Sequence, residues 1–228
     1  PIGEGYAGPA VANGRVIITD RIRRRNVERV LCLDANTGKE IWKYEYEARY
    51  TVSYPAGPRS TPVVDDGLVY TVGAMGHMFC FEEETGKVIW EKNFVDEYNT
   101  KLPIWGMVAS PLVDGDQLIT LVGGPNSLVV SFDKKTGKEI WRSLNSRGIG
   151  YAPPVIFEFG GLRQLIVWHP EAIESIEPAT GKPIWNIPYR VRAGLSIATP
   201  RKSGDMLFVA SFYNGPRMIQ VAQDGKSA

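Results

Sequence analysis

Cysteine, histidine and long apolar runs are all scarce in this sequence. Among its 228 residues only two are cysteine and two are histidine. No Cys-x-x-Cys or His-Glu-x-x-His pattern occurs, so the sequence predicts neither a zinc site nor another metal site. No apolar run approaches the roughly 20 residues that cross a bilayer, which predicts that there is no transmembrane segment.

An excess of one charge is also missing. Lysine and arginine total 26 against 25 acidic residues, for a net charge of +1. The whole chain is therefore not attracted electrostatically to nucleic acid, which we do not expect as a partner. Hydrophobic residues make up 43% of the chain, enough for a globular protein with a substantial core.

A repeat is the main feature that the sequence does have. Tryptophans recur at steps of 48, 51 and 44 residues, and each follows a Thr-Gly-Lys turn whose glycine keeps the same steps. The four tryptophans and their four glycines are Trp42, Trp90, Trp141, Trp185, Gly38, Gly86, Gly137 and Gly181. A second signal is a proline at the start of an apolar run, at Pro9, Pro62, Pro111, Pro154 and Pro200.

Each repeat contains four short strands separated by glycine turns, which is typical of a β-propeller blade. The sequence predicts an all-β chain, residues 1–228, that forms a single propeller segment. The blades lie at approximately 8–48, 60–96, 109–145 and 152–190, and three strands of a fifth lie at 198–228. We expect each glycine to supply a positive φ and each tryptophan to pack on the adjoining blade.

The repeats "CLDANTGKEIW", "CFEEETGKVIW", "SFDKKTGKEIW" and "SIEPATGKPIW" resemble the tryptophan-docking motif of quinoprotein-type (PQQ-like) β-propellers. That resemblance implies a ring of seven or eight blades, of which this chain is an arc of about 4.7. The ring would be completed by missing blades of a parent chain or by another copy. Cys32 and Cys80 replace the usual alanine, and we expect both to be buried free thiols.

Chain direction alternates from strand to strand, so the turns sort onto two faces. The Thr-Gly-Lys turns share one face, which we call the docking-turn face. The other, the connection face, carries the hairpins between second and third strands and the connections between blades. There the sequence predicts a binding site at the mouth of the central channel, with inner-strand packing as the alternative. Its candidate residues are Arg59, Ser60, Trp105, Ser110, Tyr151 and Ser196.

The connection face also carries an arginine-rich hairpin and two histidines. A basic patch is predicted on the first hairpin, with a solvated hairpin tip as the alternative, at Arg21, Arg23, Arg24 and Arg25. His77 and His169 lie in later hairpins, where no converging partner is visible, and are interpreted as polar hairpin residues.

Three functions are compatible with the repeat. The preferred hypothesis is a non-catalytic binding or scaffolding module, similar to the BamB family and located in the periplasm or cell envelope. A protein segment or an extended ligand would be its partner. The second is a fragment of a PQQ-dependent dehydrogenase for alcohols or sugars. Only that alternative needs PQQ and calcium, and the sequence has no vicinal cysteine pair and no catalytic residue that stands out. The third is a carbohydrate-binding or sensor propeller.

Overall fold

Five antiparallel sheets follow one another along the chain in the computed structural model, which describes residues 1–52 and 56–228. The first four sheets have four strands and the last has three, always hydrogen-bonded in sequence order. Sheets built from consecutive hairpins are the blades of a propeller. The predicted all-β class is therefore confirmed, and the chain is part of a β-propeller.

The strand bounds are as follows. The first sheet contains β1–β4, at Ala10–Ala12, Arg15–Ile22, Val27–Asp34 and Glu40–Glu47. The second contains β5–β8, at Val63–Asp65, Leu68–Val72, His77–Glu82 and Val88–Asn93. The third contains β9–β12, at Leu112–Asp114, Gln117–Gly124, Ser127–Asp133 and Glu139–Ser143. The fourth contains β13–β16, at Val155–Phe159, Leu162–Trp168, Ala172–Ile176 and Pro183–Pro188. The fifth contains β17–β19, at Arg201–Ser203, Met206–Ser211 and Gly215–Gln220.

In the described residues, 1–52 and 56–228, helical structure is limited to short segments between strands. The α-helix α1 spans Phe94–Tyr98, and single 3-10 turns lie at Arg23–Arg25 and Arg192–Gly194. None of the helices formed by the described residues has the length and apolar character needed to cross a bilayer.

In each complete blade, the turn between the third and fourth strands has a threonine hydroxyl that donates to an acidic side chain and a glycine N–H that donates to the carbonyl of the same acidic residue. In the first blade, Asp34 Oδ1 accepts hydrogen bonds from the Thr37 N–H and hydroxyl, both at 2.7 Å. The Gly38 N–H donates to the Asp34 carbonyl at 2.9 Å, and Gly38 has a φ of 68°. A side-chain acceptor followed by a left-handed glycine closes the turn, which explains the recurring acidic residue, threonine and glycine.

Each of the first three tryptophans lies against the next sheet along the chain. The indole N–H groups of Trp42, Trp90 and Trp141 donate to the carbonyls of Glu83, Lys134 and Pro178, at 2.8, 3.1 and 3.1 Å. All three acceptors lie in the Thr-Gly-Lys turn of the following blade, and the indoles are buried. Each indole therefore fills the space between two sheets and also satisfies a turn carbonyl.

The core lies between the sheets. One cluster of buried side chains joins the second, third and fourth sheets, and smaller clusters lie between the first and second and between the fourth and fifth. Cys32 and Cys80 are buried free thiols within these clusters. Burial raises the pKa of Cys32 to about 11 and that of Cys80 to about 12, as is typical of thiols that pack as small apolar residues.

Candidate functional site at the channel mouth

The connections that lead into the five first strands meet at one cavity. Strand β1 contacts β5 and β5 contacts β9, so the first strands form the inner side of the arc. The cavity has a volume of about 230 Å³, and five connections contribute to it. Its lining residues are Tyr6, Arg59, Trp105, Val108, Tyr151 and Ile197.

Five of these six residues occupy the same position in the repeat. Each stands three residues before one of the recurring prolines, so Tyr6 precedes Pro9 as Arg59 precedes Pro62. Val108, Tyr151 and Ile197 have the same spacing. Because blades are related by rotation about the channel, equivalent positions form a ring around it. Sequence reasoning missed Tyr6, Val108 and Ile197, although this spacing could have found them.

The cavity combines aromatic surfaces with one guanidinium group. The Trp105 and Tyr151 rings are 5.6 Å apart at 49°, and the Arg59 guanidinium lies 4.6 Å from the centre of the Tyr6 ring. Arg59 Nε and one of its terminal nitrogens are buried and have no hydrogen-bond partner within residues 1–52 and 56–228. The same holds for the Trp105 indole N–H in that part of the chain. Buried donors of this kind favour an acceptor on a ligand.

The three predicted serines lie in the seams between blades and do not line the cavity. Ser60 is fully buried and its hydroxyl donates to the Ala109 carbonyl at 3.2 Å. Ser110 Oγ accepts a hydrogen bond from the Thr61 N–H at 3.0 Å. Ser196 is also buried, and its carbonyl accepts from the Tyr151 N–H at 2.9 Å. The structure therefore brings Arg59, Trp105 and Tyr151 together as predicted site residues, with the serines as inner-strand links.

The predicted basic patch is divided. Arg23, Arg24 and Arg25 form the exposed 3-10 turn at the hairpin tip, where Arg25 pairs with Glu45. Arg21 is only 2% exposed, and its guanidinium donates to the carbonyls of Ala48 and Tyr50. Alternation of side chains along β2 places Arg21 under the hairpin, so it does not contribute to the exposed surface.

The two histidines also differ. His77 begins β7 and is stacked on Phe79, with its pKa lowered by burial. His169 is only 2% exposed, so its interpretation as a polar hairpin residue was incomplete. Its ring nitrogens lie 2.9 Å from Ser146 Oγ and 2.9 Å from Glu174 Oε1. Sequence reasoning missed this cluster because its members are separated by up to 28 positions and share no motif.

A larger cavity lies on the docking-turn face, whose turns were predicted to be structural. Its volume is about 830 Å³, and it is formed by turns of the third and fourth blades with Lys226 at its edge. Arg163 and Asp114 form an ion pair across it at 2.6 Å. Their opposite charges compensate one another. Within the part of the chain that the structure describes, no residue that lines this cavity has a buried side-chain donor without a partner, in contrast to the channel mouth.

The fold and the cavity together define the class of protein. The chain forms a partial β-propeller with a tryptophan on the outer strand of each complete blade and a cavity at the channel mouth that is lined by aromatic and polar side chains. The family model described as "Outer membrane protein assembly factor BamB" matches residues 27–228. The chain therefore belongs to the BamB family. Comparison of the sequence with curated proteins gives no match.

Solved structures with similar folds include members of two functional groups. BamB from Moraxella catarrhalis is 18% identical, with a TM-score of 0.60 over 94% of this chain and 57% of its own. The quinohemoprotein alcohol dehydrogenase ADHIIG from Pseudomonas putida HK5 is also 18% identical, with a TM-score of 0.65 over 99% of this chain and 41% of its own. A europium-containing methanol dehydrogenase is 13% identical, with a TM-score of 0.68 over 98% and 50%. The chain thus spans about half the length of these proteins, and the likeness shows the fold.

The channel-mouth residues do not fit a calcium ion. Calcium takes six to eight oxygen ligands, commonly carboxylates and amide or backbone carbonyls. The six side chains that line the cavity include no carboxylate and no amide. In the described part of the chain, no group of three or more histidine, cysteine, aspartate or glutamate side chains is arranged to hold a metal. Arg59 and Trp105 would suit an anionic or acceptor-bearing ligand without a metal.

Proposed function

We propose that this chain acts at its channel mouth as a non-catalytic binding or scaffolding module of the bacterial cell envelope, where it holds a segment of a protein partner. The observation that carries the proposal is the convergence of five connections on one cavity, whose buried donors have no partner among residues 1–52 and 56–228. Family membership supports a role in the envelope, since the family description refers to outer membrane protein assembly. A periplasmic location follows as part of the proposal.

The surroundings of the cavity favour a protein segment over a small polar solute. Large apolar side chains are exposed on the same connection face, at Tyr6, Ile104, Ile197, Phe212 and Tyr213. Exposed aromatic and aliphatic side chains that share one face are typical of a protein interaction site. Arg59 would pair with a carboxylate of the partner, because a guanidinium binds a carboxylate in a two-pronged geometry.

A defined peptide library tests this proposal. Peptides selected on the intact chain should combine acidic and apolar residues, and Arg59→Ala should weaken their binding at least tenfold by loss of a charged hydrogen bond. Arg24→Ala is the matched control, because Arg24 is exposed at the hairpin tip and should leave affinity unchanged. Selected peptides that bind Arg59→Ala and the unchanged protein equally well would contradict the proposed site.

The dehydrogenase alternative rests on the similarity in fold to quinohemoprotein enzymes. It predicts that PQQ with calcium raises the thermal midpoint of the protein in a saturable way. We expect no such rise, because the cavity lacks calcium ligands. The carbohydrate alternative would use the Trp105 and Tyr151 rings for stacking on sugar faces. Saturable quenching of tryptophan fluorescence by oligosaccharides, lost in Trp105→Ala, would favour it.

A further inference from the structure

A serine, a histidine and a glutamate are connected in line beside the seam of the third and fourth blades. Ser146 lies in the connection between these blades, His169 follows β14 directly, and Glu174 lies in β15. Ser146 Oγ is 2.9 Å from His169 Nδ1, and His169 Nε2 is 2.9 Å from Glu174 Oε1. These three groups lie outside the channel-mouth cavity.

The hydrogen bonds determine which nitrogen of His169 carries the proton. The Glu171 N–H donates to His169 Nδ1 at 3.3 Å, so Nδ1 is an acceptor. Nε2 therefore carries the proton and donates to Glu174. Burial raises the pKa of Glu174, but hydrogen bonds from His169 and Asn186 outweigh this effect and hold it below its ordinary value. The glutamate is thus an anion that orients the imidazole toward the serine.

Ser146 is accessible from a cavity while His169 is not. The serine is partly exposed and lines a cavity of about 390 Å³, together with Lys101, Gly123 and Gly148. The Gly148 N–H points at Ser146 Oγ from 3.4 Å. This hydrogen bond, between residues two positions apart, holds the serine hydroxyl in place. His169 is 2% exposed, which keeps water from competing for its Nδ1.

We propose that Ser146 is a nucleophile activated by His169, with Glu174 as its positioning residue, and that this site hydrolyses small carboxylic esters. Ser146 Oγ bonds to the ester carbonyl carbon while its proton moves to His169 Nδ1. The C–O bond to the alcohol then breaks, and the alcohol leaves with that proton. Water attacks the acyl-serine, gives one proton to Nδ1, and releases the carboxylic acid as the serine recovers its hydrogen.

Glu171 is a second acceptor near the nucleophile. Its Oε2 lies 3.1 Å from Ser146 Oγ and 3.0 Å from the Arg147 N. The single hydroxyl proton of Ser146 is therefore shared between Glu171 and His169. Removal of the Glu171 carboxylate leaves His169 as the acceptor, so Glu171→Ala should keep or increase serine reactivity.

A fluorophosphonate probe measures that reactivity directly. The intact chain at pH 8 should take up one probe molecule, mapped to Ser146 by peptide mass spectrometry, and should release p-nitrophenol from p-nitrophenyl acetate. Ser146→Ala should abolish the adduct. His169→Gln should slow labelling about a hundredfold, which is the usual effect of losing a general base. Glu174→Gln should slow labelling and shift its pH profile, which a merely structural glutamate would not do.

Ser143→Ala is the matched control, because Ser143 precedes the site by three residues and its hydroxyl donates to the Gly181 carbonyl. It should label at the rate of the unchanged protein. Circular dichroism of each variant separates loss of reactivity from loss of folding. The proposal is overturned if the intact chain takes up no probe under conditions that label a known serine hydrolase. It is equally overturned if Ser146→Ala retains the adduct, or if His169→Gln and Glu174→Gln both label at the full rate while folded. Loss of labelling in folded Glu171→Ala would also overturn it.

Discussion

Trp42 lies directly on Gly86. A Cβ atom added to this glycine would be 2.5 Å from Trp42 Cδ2, and the glycine has a φ of 72°. Gly137 under Trp90 and Gly181 under Trp141 have the same relationship, with corresponding distances of 2.6 and 2.5 Å to the indole. The glycine of each Thr-Gly-Lys turn thus serves its own hairpin and also leaves room for the indole of the preceding blade.

Gly86→Ala and Gly38→Ala separate these two roles. Both glycines have a positive φ, but a Cβ on Gly38 meets no atom within 4 Å among the described residues. Gly38→Ala should cost about 1–2 kcal/mol for the left-handed backbone. Gly86→Ala should cost a further 1–3 kcal/mol, roughly, because the indole must move. Urea unfolding measures the free energy of unfolding of both variants. An equal decrease in the two would refute a packing role for Gly86.

Trp90→Ala should remove about 3–5 kcal/mol of stability, because it empties a buried site between the second and third blades. Trp90→Phe should cost less, since it keeps much of the apolar volume and loses the hydrogen bond to the Lys134 carbonyl. Ile89→Ala is the control, because Ile89 is 45% exposed on the same strand. An unchanged thermal midpoint in Trp90→Ala would contradict the docking role of the tryptophan.

Gln164 and Gln117 offer another matched pair. Gln164 Oε1 accepts from Trp185 Nε1 at 2.8 Å and from the Ser175 hydroxyl at 2.6 Å, and its Nε2 donates to the Gly225 carbonyl at 2.7 Å. Gln164→Leu should therefore destabilise the fold by about 1–3 kcal/mol for each buried group left unpaired.

Gln117 makes equivalent contacts with Trp141 and Ser131, but Trp141 also donates to the Pro178 carbonyl. Gln117→Leu should consequently cost less than Gln164→Leu in thermal unfolding. Limited proteolysis should cut near Gly225 faster only in Gln164→Leu, because Gln164 connects the fifth blade to the fourth. Identical proteolysis of both variants would refute that connection.

Glu28 should make the protein less stable as pH rises. Burial raises the pKa of its carboxyl above the ordinary 4.5, although Tyr46, Tyr50 and the Ala74 N–H donate to it. The folded state therefore holds this proton more tightly than the unfolded state. The resulting contribution to the free energy of unfolding is complete below the pKa of Glu28 in the unfolded state. It is lost as pH rises through the pKa of Glu28 in the folded state.

Urea unfolding between pH 4 and pH 8 tests this dependence, which Glu28→Gln should flatten. Glu45→Gln is a control of opposite sign, because its hydrogen bond from Arg25 lowers the pKa of Glu45. The pair of Arg25 and Glu45 stabilises the folded state above the pKa that Glu45 has in the unfolded state. This contribution is lost as pH falls through the lower pKa that Glu45 has in the folded state. A wild-type slope that survives in Glu28→Gln would show that Glu28 is not its source.

The sequence by itself determined the repeat, the strands and the turns. Alternation of aromatic and charged residues along strands such as β4, the acidic residue and glycine of each turn, and the recurring tryptophans are local signals with a fixed spacing. Local signals of this kind specify a blade and, through the tryptophan, its attachment to the next. They also led to Arg59, Trp105 and Tyr151, because the connection before each proline was recognised as the entry to an inner strand.

Only the tertiary structure decided which of those residues meet. The ring at the channel mouth depends on the rotation from blade to blade, which brings Tyr6 and Ile197 to one cavity although 191 positions separate them. The burial of Arg21 and the alignment of Ser146, His169 and Glu174 likewise depend on how connections fold over hairpins. Such contacts have no period along the chain, because they are set by the packing of neighbouring blades rather than by any one strand or turn.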